Sequence, residues 1–169
     1  MGKSGGQRDA GALYREVAPA VLGYLRGQGV ADPEDVLGEV FLNVSTSLHR
    51  FHGDDDQLRR WVFTLAHHRI IDDRRRRARR PLIADAEVPD RAAPSHEDAI
   101  DPELIAALGQ LTPEQREVVL LRFVADLPIE VVADLTERSA GAIRSLQHRA
   151  IGQLARNLTA AQERRTAGS

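Results

Sequence analysis

The sequence of 169 residues contains no cysteine and a single lysine, Lys3. The absence of cysteine excludes disulfides, thiolate catalysis and cysteine-based zinc sites, so a metal site would need histidine and carboxylate ligands. No apolar run approaches the roughly 20 residues that a membrane helix needs. The opening "MGKSGGQRD" also lacks the apolar stretch of a secretory signal. We therefore expect a globular, cytoplasmic protein without membrane insertion.

The positive charge is almost all arginine, and much of it lies in one segment although the formal net charge is -2. In "WVFTLAHHRIIDDRRRRARRP", residues 61–81, an apolar stretch is followed by a run of arginines. The next segment, "PLIADAEVPDRAAPSHEDAID" at residues 81–101, contains prolines, alanines and acids with no sustained period. A basic segment thus lies beside an acidic one, and the acidic one is typical of an extended linker between domains.

Three helices are predicted before this linker. Apolar residues spaced four apart run from Leu13 to Leu25, and glycines at 27 and 29 end the first helix. The second begins with Asp32 as N-cap and Pro33 at the first helical position. It has more apolar surface than one packing contact needs, which leaves part of it for a partner. The third runs from Leu58 into the arginines.

The third helix has two faces. Leu58, Val62 and Leu65 form an apolar stripe, and a second face carries the polar and basic side chains that we predict to lie on DNA. A solvated charge run is the alternative for these arginines. Trp61 borders the apolar stripe, so core packing is favoured for it over stacking on a base.

A helix-turn-helix pattern is predicted after the linker. Thr112 and Gln115 form a capping box at the start of a helix. Further on, the short helix "IEVVADL", the turn "TERS" and a last helix with Ser139 as N-cap complete the pattern. Polar residues of the last helix lie off its apolar stripe and suit base edges and phosphates in the major groove. Taken alone, this face also fits a solvated helix in an ordinary bundle.

These features predict an all-α fold with two small helical domains, residues 12–80 and 103–158, joined by an extended acidic linker at residues 81–102. A disordered N-terminus is expected at residues 1–11 and a flexible C-terminus at residues 159–169.

The order "EDVLGEVFLNV", "LRRWVFTLAHHRIIDDRRRR", acidic linker and "LTPEQREVVLLRF" with its helix-turn-helix resembles the extracytoplasmic function (ECF) class of bacterial sigma-70 family factors. The resemblance covers residues 13–158. In that family the first domain, region 2, binds core RNA polymerase and the minus-ten promoter element, and the second, region 4, reads the minus-thirty-five element. The resemblance implies a sigma factor that directs promoter-specific transcription initiation, with no enzymatic activity, cofactor or metal of its own.

The resemblance also implies site residues. The residues expected to bind core polymerase are Asp35, Leu37, Glu39, Val40 and Asn43. Those expected at the minus-ten element are Phe51, Asp54, Gln57, Arg60, Thr64, His67, Arg74, Arg75, Arg76 and Arg77. Those expected at the minus-thirty-five element are Ser139, Arg144, Ser145, Gln147, His148 and Arg149. The sequence departs from the family at Gly38, where glutamine is common, and at His67 and His68, which replace an Arg-Asn pair.

The implied partners are core RNA polymerase and promoter DNA, both as duplex and as melted strand. Members of the family often pair with an anti-sigma factor that masks both domains, and the sequence alone leaves open whether this chain has one.

Two other functions are compatible with parts of the sequence. A stand-alone helix-turn-helix regulator, which does not bind core polymerase, would explain the second domain but leave the arginine segment and the linker unexplained. A metal-dependent hydrolase is suggested by His49 and His52 with the aspartates at 54–56, 72 and 73. The sequence has no Gly-rich phosphate loop, nucleophile elbow or HExxH motif, which disfavours an enzyme.

Overall fold

The computed structural model describes residues 9–79 and 101–168, and within these ranges the chain is helical and contains no strand. The first domain consists of α1 (Ala10–Gly27), α2 (Pro33–Ser47) and α3 (Asp55–Arg79). The second consists of α4 (Pro102–Gly109), α5 (Pro113–Val119), α6 (Ile129–Leu135) and α7 (Ala140–Ala167). A 3-10 turn follows α2 at Leu48–Arg50, and a π-helical turn continues α5 at Leu120–Val124. The predicted all-α fold with two helical domains is confirmed.

Most of the predicted linker, residues 81–102, and most of the N-terminal segment lie outside the described residues. At the other end, α7 continues to Ala167, where the sequence pattern predicts a flexible segment from residue 159. Arg165 Nη1 donates to Glu103 Oε2 at 3.0 Å and ties this last part of α7 to α4. The helix persists here because it has a neighbouring helix to contact, which its weak apolar period does not reveal.

The starts of α5 and α7 follow the predicted capping chemistry, whereas the side chain of Asp32, predicted to cap α2, makes no capping hydrogen bond there. Thr112 Oγ1 accepts from the backbone N–H of Gln115, and the Gln115 side chain accepts from the backbone N–H of Thr112, both at 3.2 Å. Ser139 Oγ accepts from the backbone N–H of Ala142 at 3.1 Å. Each bond satisfies a donor that a helix N-terminus leaves free, so the capping box and the Ser139 cap fix where α5 and α7 begin.

The two domains share one apolar core. Val21, Val40 and Val62 are fully buried in the first domain, as Val118 and Ile143 are in the second. These buried sets are contiguous, because helices of the two domains contact each other directly. The predicted extended linker would lead us to expect a separate core in each domain. The structure instead shows that the two domains pack against each other.

Part of the domain contact lies where α1 meets the π-helical turn. Gly27 lies against Leu120, and a Cβ at position 27 would be only 2.7 and 2.9 Å from the Leu120 methyl carbons. Such distances are shorter than a carbon–carbon contact tolerates. Glycine at this position therefore permits the two domains to pack as they do.

Candidate polymerase and nucleic-acid interfaces

The predicted recognition face of α7 lies on the outside of the second domain. Ile143 and Ala150 face inward and are fully buried. Of the positions between them, Leu146 packs against the core, whereas the Arg144 side chain projects outward and is 61% exposed. Its Nη2 is 3.9 Å from Glu130 Oε1, an exposed ion pair that contributes little to stability in water. Arg144 can therefore exchange this partner for a base edge or a phosphate at little cost. The other exposed residues of the predicted set are Ser139, Ser145, His148 and Arg149.

Gln147 is held in position by the second domain itself. It is half-buried, and its Oε1 accepts from Arg122 Nε at 3.0 Å. Arg122 also donates from Nη1 to the backbone carbonyl of Leu127. The Arg122 contact fixes the amide of Gln147 and leaves its Nε2 donors for a further acceptor.

On α2 the structure separates the predicted polymerase-binding residues into two groups. Leu37 and Val40 are 5% and 0% exposed and pack in the core, so these two do not form a surface for a partner. The helical period turns them inward together with the core stripe. Asp35 and Glu39 are exposed. Asn43 is half-buried. Of the predicted polymerase-binding residues, Asp35, Glu39 and Asn43 therefore remain at the surface of α2.

Leu42 is a surface residue that the sequence interpretation missed. It is 68% exposed, although it is a large apolar side chain, and it lies three residues beyond Glu39 on the same helix. Residues three and four apart on a helix are neighbours, so Leu42 extends the Asp35 and Glu39 surface. The signal in the sequence is its position outside the stripe that Val40 and Val44 form.

The loop before α3 is ordered by local contacts. Asp54 Oδ1 accepts from the backbone N–H of Gln57 at 2.8 Å, and Gln57 Oε1 accepts from the backbone N–H of Asp54 at 2.9 Å. This reciprocal pair caps α3. Phe51 stacks on Trp61 with 5.3 Å between the ring centroids and an interplanar angle of 20°. Trp61 also packs against the core, in agreement with the packing that the sequence favours for it.

The exposed arginines of α3 are held by weak local contacts. Arg76 Nη2 and Arg77 Nε lie 2.9 and 2.8 Å from the carboxylate oxygens of Asp73. Pairs of this kind on a helix surface are screened by water and contribute little to stability. Arg75 is exposed beside them, and all three can turn to a phosphate. Nearer the helix start, the half-buried Thr64 donates its hydroxyl to the Arg60 carbonyl at 2.8 Å.

His67 is not on the exposed DNA-facing surface that the helical angle predicts. It is 4% exposed, and its Nδ1 lies 3.1 Å from the Tyr24 hydroxyl and 3.8 Å from Glu117 Oε1. Burial, reinforced by His68 and Arg74, lowers the pKa of His67 to about 4. At neutral pH His67 is therefore uncharged and hydrogen-bonded, and its contact with Glu117 is not an ion pair. The helical angle places His67 correctly relative to Arg74 but does not reveal that the second domain covers it.

Arg74 contacts both domains. Its Nη2 donates to Gln28 Oε1 at 2.7 Å in the first domain, and its Nη1 is 3.9 Å from Glu117 Oε1 in the second. Burial raises the pKa of Glu117, and the charges of Arg74 and Arg138 counteract this only in part. Glu117 is a buried carboxyl group of α5 that no sequence period singles out, because it directly follows the charged and polar residues 114–116.

A polar cleft of about 600 Å³ lies between α3 and the helix-turn-helix. Its walls come from both domains, so the α3 face and the turn between α6 and α7 face each other across it. The lining residues are His67, His68, Ile71, Asp72, Arg75, Glu117, Leu135, Thr136, Glu137 and Arg138.

Across residues 9–79 and 101–168, no three His, Asp or Glu side chains come together in a way that could hold a metal ion. His49 instead accepts from Arg50 Nε at 3.2 Å. Nor does any helix in that part of the chain have the length and apolar character to cross a membrane.

The geometry defines a helical protein with two surfaces suited to nucleic acid, one on α3 and one on α7. Comparison with known proteins assigns these domains to a family. The model described as "Sigma-70 region 2" matches residues 13–80, and the one described as "Sigma-70, region 4" matches residues 102–154. RNA polymerase sigma factor CarQ of Myxococcus xanthus is 32% identical over 148 residues, covering 84% of each chain.

Two further relatives extend the comparison. ECF RNA polymerase sigma factor BldN of Streptomyces coelicolor is 31% identical over 163 residues, which are 90% of this chain and 62% of BldN. This chain therefore spans less than two thirds of BldN. The solved structure of the sigma factor RpoE with the anti-sigma factor NepR, from Bartonella quintana, has the same fold, with a TM-score of 0.62 and 22% identity. The similarity covers 88% of this chain and 97% of the matched chain.

The chain belongs to the sigma-70 family of RNA polymerase sigma factors, in its ECF class. The predicted family is confirmed, and a stand-alone helix-turn-helix regulator is not favoured.

Proposed function

We propose that this chain binds core RNA polymerase through the first domain and directs it to promoters read by α3 and α7. It works at the nucleoid in the cytoplasm and catalyses no reaction, because the polymerase performs the synthesis. The observation that carries the proposal is the presence, in one chain, of a region 2 domain with exposed arginines and a region 4 domain with an outward recognition face.

The polymerase-binding surface is the exposed side of α2. Asp35 and Glu39 supply charge, and Leu42 supplies an apolar side chain that is already free of the core. Burial of a leucine side chain contributes about 1.5 to 3 kcal/mol, so Leu42 is the strongest single anchor that this surface offers. Asn43 lies at its edge.

The minus-ten surface combines the capped loop before α3 with the arginines at its end. Arg75, Arg76 and Arg77 contact phosphates, which position the protein without reading sequence. The loop that Asp54 and Gln57 cap supplies pocket hydrogen bonds for a base. Arg60 and Thr64 lie between the two.

The minus-thirty-five surface is α7. Arg144 and Gln147 project where a recognition helix meets base edges, and arginine and glutamine make the bidentate contacts that discriminate bases there. His148 and Arg149 extend the surface. Because the Bartonella relative was solved with an anti-sigma factor, a protein of that kind is a candidate partner of this chain as well.

The test is a paired measurement of co-elution with bacterial core polymerase and of run-off transcription on a genomic fragment library. We expect wild type to co-elute and to start transcription at a defined set of promoters. Leu42→Asp should weaken co-elution, while Arg144→Ala should leave co-elution intact and lower transcription. Absence of wild-type co-elution would contradict the proposal and favour a regulator that acts without core polymerase.

A further inference from the structure

One residue of the predicted recognition face is held by a hydrogen bond from within the second domain. Gln147 Oε1 accepts from Arg122 Nε at 3.0 Å, and Arg122 also donates from Nη1 to the backbone carbonyl of Leu127. Arg122 and Gln147 are both half-buried, and Leu127 is buried. Arg122 therefore connects the π-helical turn, the loop before α6 and the helix α7.

The chemistry of arginine fixes which end of the Gln147 amide faces it. A guanidinium group has five N–H donors and no acceptor, so only the amide oxygen can accept the hydrogen bond from Arg122 Nε. Many amides can be turned over without losing a hydrogen bond, but this partner excludes the flipped form. Oε1 is thus turned toward Arg122, and the donors on Nε2 remain for a partner outside the domain.

Gln147 lies next to the most accessible base-reading candidate of α7. Residues three apart on a helix are neighbours, so Gln147 is adjacent to Arg144, whose side chain is 61% exposed. Arg144 is only 3.9 Å from Glu130 and can leave this partner, whereas the Gln147 amide is fixed. A duplex that meets Arg144 therefore also comes within reach of Gln147 Nε2.

The fixed orientation changes which base suits Gln147. A free glutamine pairs with adenine, because its oxygen accepts from adenine N6 while its nitrogen donates to adenine N7. With the oxygen turned to Arg122, the amide presents donors, and the N6 donor of adenine then has no acceptor opposite it. Guanine instead presents two acceptors, N7 and O6, in the major groove. The charge of Arg122 also polarises the amide and strengthens its N–H donors.

We propose that Arg122 is a positioning residue for promoter recognition, which makes Gln147 a donor-only contact that selects guanine over adenine at one base pair of the minus-thirty-five element. The proposal rests on the proposed function, since it takes α7 as the helix that reads this element. Arg122 acts through Gln147 and needs no contact with DNA of its own.

A purely structural brace is the alternative role for the Arg122 contact. A brace would stabilise the second domain and lower promoter use equally on all sequences when it is removed. Base preference is a ratio of activities on two promoters, so a uniform loss of folded protein cancels from it. A change in base preference therefore separates the two roles.

The first test removes the donors that hold the amide. Arg122→Met keeps an apolar side chain of similar length, and the Gln147 amide becomes free to pair with adenine. We expect wild-type holoenzyme to use guanine about 5-fold better than adenine at one upstream base pair, and Arg122→Met to lose or reverse this ratio. Arg122→Lys should retain the ratio, because its ammonium group still donates to Oε1. Run-off transcription from promoters randomised at the minus-thirty-five element measures the ratio.

A second substitution tests the same contact from the other side. Gln147→Glu keeps an oxygen for Arg122 but replaces the Nε2 donors with an acceptor. Its preference should move from guanine to a base with an exocyclic amino group, cytosine or adenine. Asn157→Ala is the control for general destabilisation, since Asn157 donates to the carbonyl of Ala107 at 3.0 Å where α7 packs on α4. It should leave the base preference unchanged.

Identical base preferences in wild type, Arg122→Met and Gln147→Glu would overturn the proposal and leave Arg122 as a structural brace. Gln147→Glu keeps the Arg122 contact and so decides the question even if Arg122→Met does not fold. If wild type does not bind core polymerase, the proposed function fails. The duplexes that the chain itself binds from the same randomised set then decide the role of Gln147, because that selection needs no polymerase.

Discussion

The two candidate DNA-binding helices differ in what covers them. On α7, the residues predicted to read bases are exposed or held at the surface, and Arg144 has only a weak partner at 3.9 Å. On α3, His67 is buried against Tyr24 and Glu117, and Arg74 reaches into the domain contact. Both helices have polar faces of similar composition. Exposure of such a face therefore depends on what packs against it.

This difference divides α3 into two parts. His67 is buried in the domain contact and Arg74 lies at its edge with a side chain that is 41% exposed, whereas Arg75, Arg76 and Arg77 are exposed at the helix end. Because charge steers association at long range, we expect a phosphate backbone to meet the exposed arginines of α3 first.

The largest effect is expected from the exposed arginines. Replacing Arg75, Arg76 and Arg77 with alanine should flatten the dependence of log affinity on log salt by about 2 to 3 units, because each phosphate contact releases condensed counterions. Affinity of the holoenzyme for promoter DNA should fall on the order of 100-fold at low salt. Fluorescence anisotropy over a salt series measures both quantities.

The matched control replaces the same three arginines with lysine, which keeps the charge. This variant should retain most of the salt slope, and promoter choice should change little in either variant, because phosphates carry no sequence. An unchanged slope in the alanine variant would show that these three arginines do not contact phosphates of the promoter.

The next largest effect is expected from α7, whose predicted recognition face is exposed. Arg144→Ala should lower promoter use by about 1 to 3 kcal/mol and change the preference at one upstream base pair, as expected for loss of a bidentate base contact. Competitive run-off transcription on promoters randomised at the minus-thirty-five element measures both the promoter use and the base preference. Arg156→Ala is the control, since Arg156 is exposed on α7 outside the predicted recognition residues and donates to Gln153 Oε1 at 2.8 Å. A uniform loss across all upstream sequences would make Arg144 a phosphate contact.

Sequence patterns predicted what depends on local chemistry. The capping box at Thr112, the Ser139 cap and the inward stripe of α7 each follow from residues within a few positions of one another. The outward face of α7 follows from the same helical period. For this reason the fold class, the family and the exposed positions of α7 were accessible from the sequence.

Contacts between the domains were not accessible in this way. In the sequence, Arg59 is one of two adjacent arginines, the other being Arg60, and Glu117 is one of several acidic residues. Their roles depend on carbonyls and side chains more than 40 positions away, as in the Arg59 contact with Ala125. The inward position of Leu37 and Val40 was visible in the period, but the family resemblance assigned them to the polymerase surface.

A smaller effect is expected from the covered histidine. The pKa of His67, about 4 when folded, lies below its ordinary value of 6.5, so the unfolded chain takes up this proton first as the pH falls. The stability that His67 contributes is complete above about pH 6.5 and is lost toward pH 4. From about pH 7.5 to about pH 5.5 the loss should be about 1 kcal/mol of unfolding free energy, measured by urea titration.

Other groups around His67 also respond to pH, so a variant isolates its contribution. The charged and titratable groups that face it are Tyr24, His68, Asp72, Arg74, Arg75, Glu117, Glu137 and Arg138. Glu117 acts in the opposite direction, since its raised pKa favours the folded chain at lower pH. His67→Gln should remove the loss of unfolding free energy between about pH 7.5 and about pH 5.5. A variant with the same pH dependence as wild type would assign that dependence to another group.

The smallest effect tests whether the two domains unfold together. Gly38 in α2 and Gly152 in α7 are helical glycines with room for a methyl group, because a Cβ at 38 meets nothing within 4 Å and one at 152 would be 3.6 Å from Arg156. Alanine at either position should stabilise the chain by about 0.5 to 1 kcal/mol through helix propensity. Since the domains share one core, both substitutions should raise the midpoint of a single calorimetric transition, and their effects should add. Two transitions, with Gly38→Ala moving one and Gly152→Ala the other, would show that the contact between α1 and the π-helical turn does not couple the domains.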